Sequence, residues 1–183
     1  MKTRSLLLLA VTLSLATSLA EDLRPGAKTA LQDLPPHFAK EIVRVSADDG
    51  RPNPTRWYVL ARNRLEAGPF LKNPLYSITI ANGQLSEAKR YVDLREILNR
   101  RNFVDPSRVR VDSAEAFEIA RNALGPVGEG MQSASYQLTQ RGPSDPLWHI
   151  WAYGKFNRYI GMVKLSAKSG EVLSIRRAIF PRF

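Results

Sequence analysis

Two histidines, His37 and His149, and the complete absence of cysteine limit the chemistry this chain's side chains can perform. A hydrolase triad needs a nucleophile, a base and a group that orients the base. His149 follows Trp148 directly and stands two residues before Trp151, and no G-x-S-x-G elbow occurs anywhere in the chain. It therefore reads as a histidine on a sheet face rather than as a base. A metal site would need three or four clustered ligands, but His37 and His149 lie far apart and the pair Asp48-Asp49 precedes Gly50 as a turn signal. Gly125, Gly128 and Gly130 follow a helical run instead of opening one, so they do not form a phosphate loop. Retaining glycosidases need two carboxylates about 5 Å apart, and context singles out no such pair among the 17 acids. Without cysteine there are no disulfides, thiolate metal sites, cysteine nucleophile or lipidated N-terminal cysteine. The chain reads as non-catalytic, with no cofactor and no metal.

The aromatic run Trp148 to Tyr153 points instead to binding. Alternation along a strand sends Trp148, Ile150 and Ala152 to one face and His149, Trp151 and Tyr153 to the other. A half-exposed strand should be polar on one side, and neither side is. The pattern predicts a helix over one face and, over the other, a partner sheet, the sister unit of the same chain or a bound protein. The binding reading takes His149, Trp151 and Tyr153, with Phe156 and Tyr159 on the adjoining hairpin, as an aromatic face of the kind enriched at interface hot spots.

Around this run the chain repeats itself. Gly50 to Trp57, Tyr76 to Ile80 and Gly83 to Arg90 are echoed by Gly142 to Trp148, Val163 to Leu165 and Gly170 to Arg177. In the first half Ala27, Ala30, Leu31 and Leu34 mark one helical face stopped at Pro35-Pro36. Strands follow at Ile42–Ala47, Trp57–Arg62, Leu75–Ala81 and Gln84–Val92, with Asn82-Gly83 as a two-residue hairpin turn. Asp93 to Arg101 reads as a short connecting helix. In the second half Asp112 caps a helix, with Glu115 placed to reach back, and Gly125-Pro126 ends it; its face is Ala116, Phe117, Ala120, Ala123 and Leu124. Strands are expected at Ser135–Gln140, Trp148–Gly154, Tyr159–Ser166 and Glu171–Ala178. Consecutive strands joined by tight turns exclude parallel crossovers. The expectation is an α+β fold of two repeated units, each one helix packed on a four-stranded antiparallel sheet. Residues 21–105 would form the first unit and 106–183 the second.

Lys2 and Arg4, the apolar run Leu6 to Ala20 and the small residues Ser18 and Ala20 before Glu21 have the pattern of a signal peptide over residues 1–20. The run falls short of the ~20 apolar residues that a membrane span needs. Export to the periplasm or the extracellular space is expected. With 27 Lys and Arg against 17 Asp and Glu the net charge is +10, and loss of Lys2 and Arg4 would leave +8. Outside the cytoplasm the matching anions are an acidic protein of the cell envelope or an anionic envelope surface, with no nucleic acid. The basic pairs Lys89-Arg90, Arg100-Arg101 and Arg176-Arg177 supply much of this charge.

Ser113 to Ala120 as helix, Trp148-His149-Ile150 as central strand and Val163 to Leu173 as closing hairpin resemble a PepSY-type domain over about residues 112 to 177. The first half departs from that pattern at Pro35-Pro36 and at Gln84, which stands where the second half has Glu171. The resemblance implies a four-stranded sheet with a packed helix, a module of protease propeptides and of exported proteins proposed to inhibit or chaperone peptidases. Tandem units are similar in architecture to the secreted β-lactamase inhibitory proteins, which grip an enzyme through the sheet surface of two adjacent units. The function expected is a non-catalytic exported binding protein acting through a sheet surface. The alternative is a small-ligand carrier or sensor with a pocket between helix and sheet, bounded by Phe117, Trp148 and Ile150.

Overall fold

A computed structural model describes residues 26–50, 52–66, 74–91 and 102–179. The strands are β1 (Ile42–Gly50), β2 (Arg56–Arg62), β3 (Leu75–Ala81), β4 (Gln84–Tyr91), β5 (Ser133–Thr139), β6 (Leu147–Tyr153), β7 (Tyr159–Ser166) and β8 (Val172–Arg177). The helices are α1 (Ala27–Gln32), α2 (Pro36–Ala39) and α3 (Ser113–Leu124). Strands β5 and β6 alternate buried and half-buried residues along their whole length. Asn82 and Gly83 turn β3 into β4 with φ of 51° and 79°, the left-handed pair that a two-residue hairpin requires. Asp48-Asp49-Gly50 is not a turn; it continues β1.

Two helix-on-sheet units do not form. All eight strands belong to one antiparallel sheet in the order β4-β3-β2-β1-β5-β6-β7-β8. The reason lies in β1 and β5, which would each be an edge of a separate four-stranded sheet. Val45 of β1 stands opposite Val59 of β2 on one side and Leu138 of β5 on the other. Pairing the two edges satisfies backbone groups that separate sheets would leave open. Nor does each half carry one long helix. Among the described residues α3 alone exceeds six residues, because proline lacks the N–H and clashes with the preceding turn. Pro35-Pro36 thus ends the first helical face, and Pro36 starts the short α2 at the position where proline fits. The connecting helix expected at Asp93–Arg101 and the signal-peptide segment 1–20 lie outside the described residues. No described helix is long and apolar enough to cross a membrane.

All three helices contribute to one core against one face of the sheet, which runs across both halves. At the junction Trp57 of β2, Tyr136 of β5 and Trp148 of β6 form an aromatic triangle with ring centroids 5.9, 6.2 and 6.3 Å apart. Trp148 is completely buried, and its indole N–H donates to the Val111 carbonyl at 2.9 Å. The Tyr136 hydroxyl donates to the Pro52 carbonyl, and burial pushes its pKa well above the usual phenol range. Helix α3 lays Ala116, Phe117, Ala120 and Leu124 on the sheet. It approaches closely because Gly161 leaves room: a Cβ there would stand 2.7 Å from Leu124 Cδ2 and 2.8 Å from the Arg176 carbonyl oxygen.

Both ends of α3 are fastened by charge. Arg177 donates to the carbonyls of Leu124 and Ala123, the end of the helix dipole that favours a cation. At the other end the Asp112 carboxylate accepts from Ser113 N at 2.7 Å and, across the molecule, from Lys28 N in the first turn of α1 at 3.1 Å. Ser113 Oγ also accepts from Ala27 N at 3.4 Å.

On the opposite face a smaller cluster of Val43, Leu60 and Leu75 is covered by Tyr91 and Phe103, with the Arg62 guanidinium 5.1 Å from the centre of the Phe103 ring. This covers the face towards β2 and β3.

Candidate functional site: the face of β5 to β7 opposite α3

Alternation along β6 buries Trp148, Ile150 and Ala152 beneath the helices and leaves Leu147, His149, Trp151 and Tyr153 half-buried on the other side. Direct cross-strand partners share a face. The register therefore sets Thr139, Gln137, Ser135 and Ser133 of β5 beside the same four residues, with Lys164 and Met162 of β7 on their other flank. Ser46 of β1 continues the face opposite Gln137. The first half of the chain was one of the covers expected over these aromatics. Its described strands instead extend the sheet sideways through β1.

The five residues marked in the sequence gather on this face and its adjoining turn. The His149 and Trp151 rings stack at 6.2 Å with planes 20° apart, and Tyr153 meets Tyr159 edge-on at 6.0 Å. Phe156 projects fully exposed from the tip of the β6–β7 hairpin. Its φ is 57°, as is that of Asn157. That conformation is rare for a bulky residue and costs about 1–3 kcal/mol unless its surroundings enforce it. The tip is closed by Gly154 N–H on the Arg158 carbonyl at 2.8 Å and Arg158 N–H on the Lys155 carbonyl at 3.2 Å.

Two cavities open on the same face. One, of about 360 Å³, lies towards the hairpin tip between Ser46, Asp48, Ser135, Trp151 and Tyr153. The other, of about 350 Å³, lies towards the β5–β6 loop. Its floor is Gln137, Thr139 and His149, and its cations are Arg44 of β1, Arg141 of the loop and Lys164 of β7. Arg44 and Gln137 line both cavities. The rim of the second is tied in place: Asn102 Oδ1 accepts from Gly142 N at 3.0 Å, and the Gln140 amide bridges Asp105 N at 2.9 Å and the Gly142 carbonyl at 3.3 Å.

Sequence reading found the aromatics and missed these three cations. Arg44 interrupts Val43 and Val45, and Lys164 interrupts Val163 and Leu165. A cation at an alternating position of an apolar strand was the available signal, but nothing local shows that the strands bearing them converge.

His149 Nε2 lies 3.4 Å from Thr139 Oγ1. Burial lowers the His149 pKa, and Lys164 and Arg141 lower it further, so the imidazole is neutral at neutral pH. Among the described residues the neighbours of this imidazole are a hydroxyl, an indole and two cations, and none is a carboxylate that would fix its tautomer. The described residues contain no group of three or more metal-ligating side chains. Phe117, Trp148 and Ile150, the expected walls of a pocket between helix and sheet, all belong to the packed core and line neither cavity.

No protein-family model, curated protein or solved structure matches the chain. The PepSY resemblance of residues 112 to 177 rests on the residues that carry it.

Proposed function

We propose that this is a non-catalytic exported binding protein that holds another protein of the cell envelope against the face of its sheet opposite α3. The observation that carries the reading is the set His149, Trp151, Tyr153 and Tyr159 on the sheet face opposite α3, with Phe156 exposed beside it. The solvent face of an antiparallel sheet is ordinarily polar. Aromatic side chains there offer large rigid contact areas with few rotamers to order, the composition of interface hot spots. The left-handed Phe156 adds strain of the kind that clusters at functional sites. The N-terminal leader pattern supports export, and the PepSY resemblance gives the partner's class as a peptidase that is inhibited or chaperoned.

The test is capture from an envelope extract with the purified protein as bait, compared with the double variant Trp151→Ala/Tyr153→Ala. Both side chains are half-exposed, so the circular dichroism spectrum should be unchanged. Hot-spot truncations cost 2 kcal/mol or more, so the co-purifying protein should bind the variant roughly thirtyfold more weakly or not at all. Undiminished capture by a folded double variant refutes the proposal.

A further inference from the structure

The cavity beside the β5–β6 loop brings Arg44, Arg141 and Lys164 together from three different elements, and among the described residues that line it none is a carboxylate. Four cations elsewhere in the described residues lie beside acids. Lys89 pairs with Glu87, Arg121 with Glu118, Arg108 with Asp145, and Lys168 lies 3.6 Å from Asp145. Among the described residues Arg141 and Lys164 form no such pair. Cations gathered in a partly dewatered recess repel one another, and an entering anion relieves that repulsion while making charge-assisted hydrogen bonds. The recess exists before any ligand arrives, because Asn102 and Gln140 hold its rim. A preformed site loses little ordering entropy on binding.

We infer that this cavity is a carboxylate-binding subsite, in which Arg44, Arg141 and Lys164 receive an acidic side chain from an extended segment of the partner lying along β5 and β6. The inference rests on the reading that this face holds a protein. Three features favour such a segment over a flat anionic surface. The cations line a recess whose floor is the sheet, so a projecting group reaches them and a membrane plane does not. The volume of about 350 Å³ stands at the small end of ligand pockets, ~300–1,000 Å³, which suits one side chain with its neighbours. Finally, Arg44 and Gln137 connect this cavity to the one at Trp151 and Tyr153. From Leu147 to Tyr153 the strand advances about 20 Å at ~3.4 Å per residue. An extended segment of about six residues would therefore set an acid at one end and apolar side chains against the aromatics at the other.

The test is a titration of the 15N-labelled protein with hexaglutamate, followed by amide shifts. Hexalysine, inorganic phosphate and phosphatidylglycerol vesicles are run in parallel. Hexaglutamate should shift residues 137–141, 147–149 and 164. Arg141→Ala and Lys164→Ala should each weaken it about three- to tenfold, between the worth of an exposed ion pair and that of a buried charged hydrogen bond. Lys89→Ala, on the edge strand β4, should leave it unchanged. Arg141 is an exposed loop residue, so its variant folds even if the Lys164 variant does not. Equal weakening by Lys89→Ala, or binding of phosphate or vesicles in the cavity without hexaglutamate binding, overturns the inference. Capture lost in Trp151→Ala/Tyr153→Ala together with hexaglutamate binding indifferent to Arg141→Ala overturns the carboxylate subsite alone. The reverse pair of results overturns the protein-docking reading and leaves an anion site.

Discussion

Replacing Asp112 by alanine removes one carboxylate and should loosen two helices that lie far apart in the chain. The carboxylate accepts from Ser113 N at 2.7 Å in a partly buried setting and from Lys28 N at 3.1 Å in an exposed one. Loss of an N-cap side chain costs about 0.5–2 kcal/mol. The partly buried cap of α3 falls in the upper half of that range and the exposed cap of α1 near the middle, so the sum is about 2–3 kcal/mol. At about 2–4 °C per kcal/mol for a chain of this size, the melting temperature should fall by about 4–12 °C. Urea unfolding gives the free energy, and hydrogen exchange locates it. The amides of both Lys28 and Ser113 should exchange faster, and in other segments only to the extent that global stability falls. Gly26→Ala approaches the same contact from the other side, because its Cβ would stand 2.1 Å from an Asp112 carboxylate oxygen. It should speed exchange at Lys28. A loss below about 0.5 kcal/mol, or faster exchange at Ser113 with Lys28 unaffected, would refute the idea that one residue fastens both helices.

Two further outcomes follow from the core and the site. Trp148→Phe leaves the Val111 carbonyl without its donor and opens the aromatic triangle, for about 2–4 kcal/mol in denaturant unfolding; because the core is continuous, the variant should still unfold in one transition, and a transition that splits into two would contradict a single core. For His149 the folded pKa lies below the ordinary value, chiefly through burial and then through Lys164 and Arg141. The unfolded chain therefore binds the proton more readily, so stability declines as pH falls below about 6.5 and levels off beneath the depressed folded pKa. Thr139 of β5, Trp151 of β6, Lys164 of β7 and Arg141 of the loop are the groups facing the ring. His149→Asn should flatten this part of the profile of unfolding free energy against pH, and an unchanged profile would show that another group sets it.

Local geometry was legible residue by residue. Alternation marked β3 and β6, Asn82-Gly83 marked its hairpin, and Asp112 with Gly125 bounded α3. Those signals work because the physics behind them acts over a few residues. The pairing of β1 with β5 was not legible. It joins residues as distant in sequence as Val45 and Leu138, and either strand could sit at the edge of a small sheet or in the middle of a large one. An internal repeat reinforced the wrong choice, since duplication describes the strands of each half and says nothing of whether their edges meet. The first helical face was read correctly from Ala27, Ala30, Leu31 and Leu34, but the burial of Phe38 in a second short helix was not, because Pro36 restarts a turn as readily as Pro35 ends one.

Fusion of the two halves into one sheet also decides where a site can be. The aromatic face is local to β6 and its hairpin, and one half of the chain could supply it. The cationic cavity could not be built that way. Arg44 comes from β1, the last strand that the first half contributes before the junction, whereas Arg141 and Lys164 come from the second half, and only the order β1-β5-β6-β7 brings the three to one recess. Asn102 and Gln140, from opposite sides of the junction, then hold its rim through Asp105 and Gly142. Sliding β5 against β1 by one residue would turn Gln137 and Thr139 towards the core and bring Tyr136 and Leu138 to the surface. Burial of the Trp57, Tyr136 and Trp148 triangle forbids that slip. The aromatic core at the junction therefore sets the register that brings the cations together, so a substitution at Tyr136 should disturb anion binding on the opposite face of the sheet without touching any group that binds the anion.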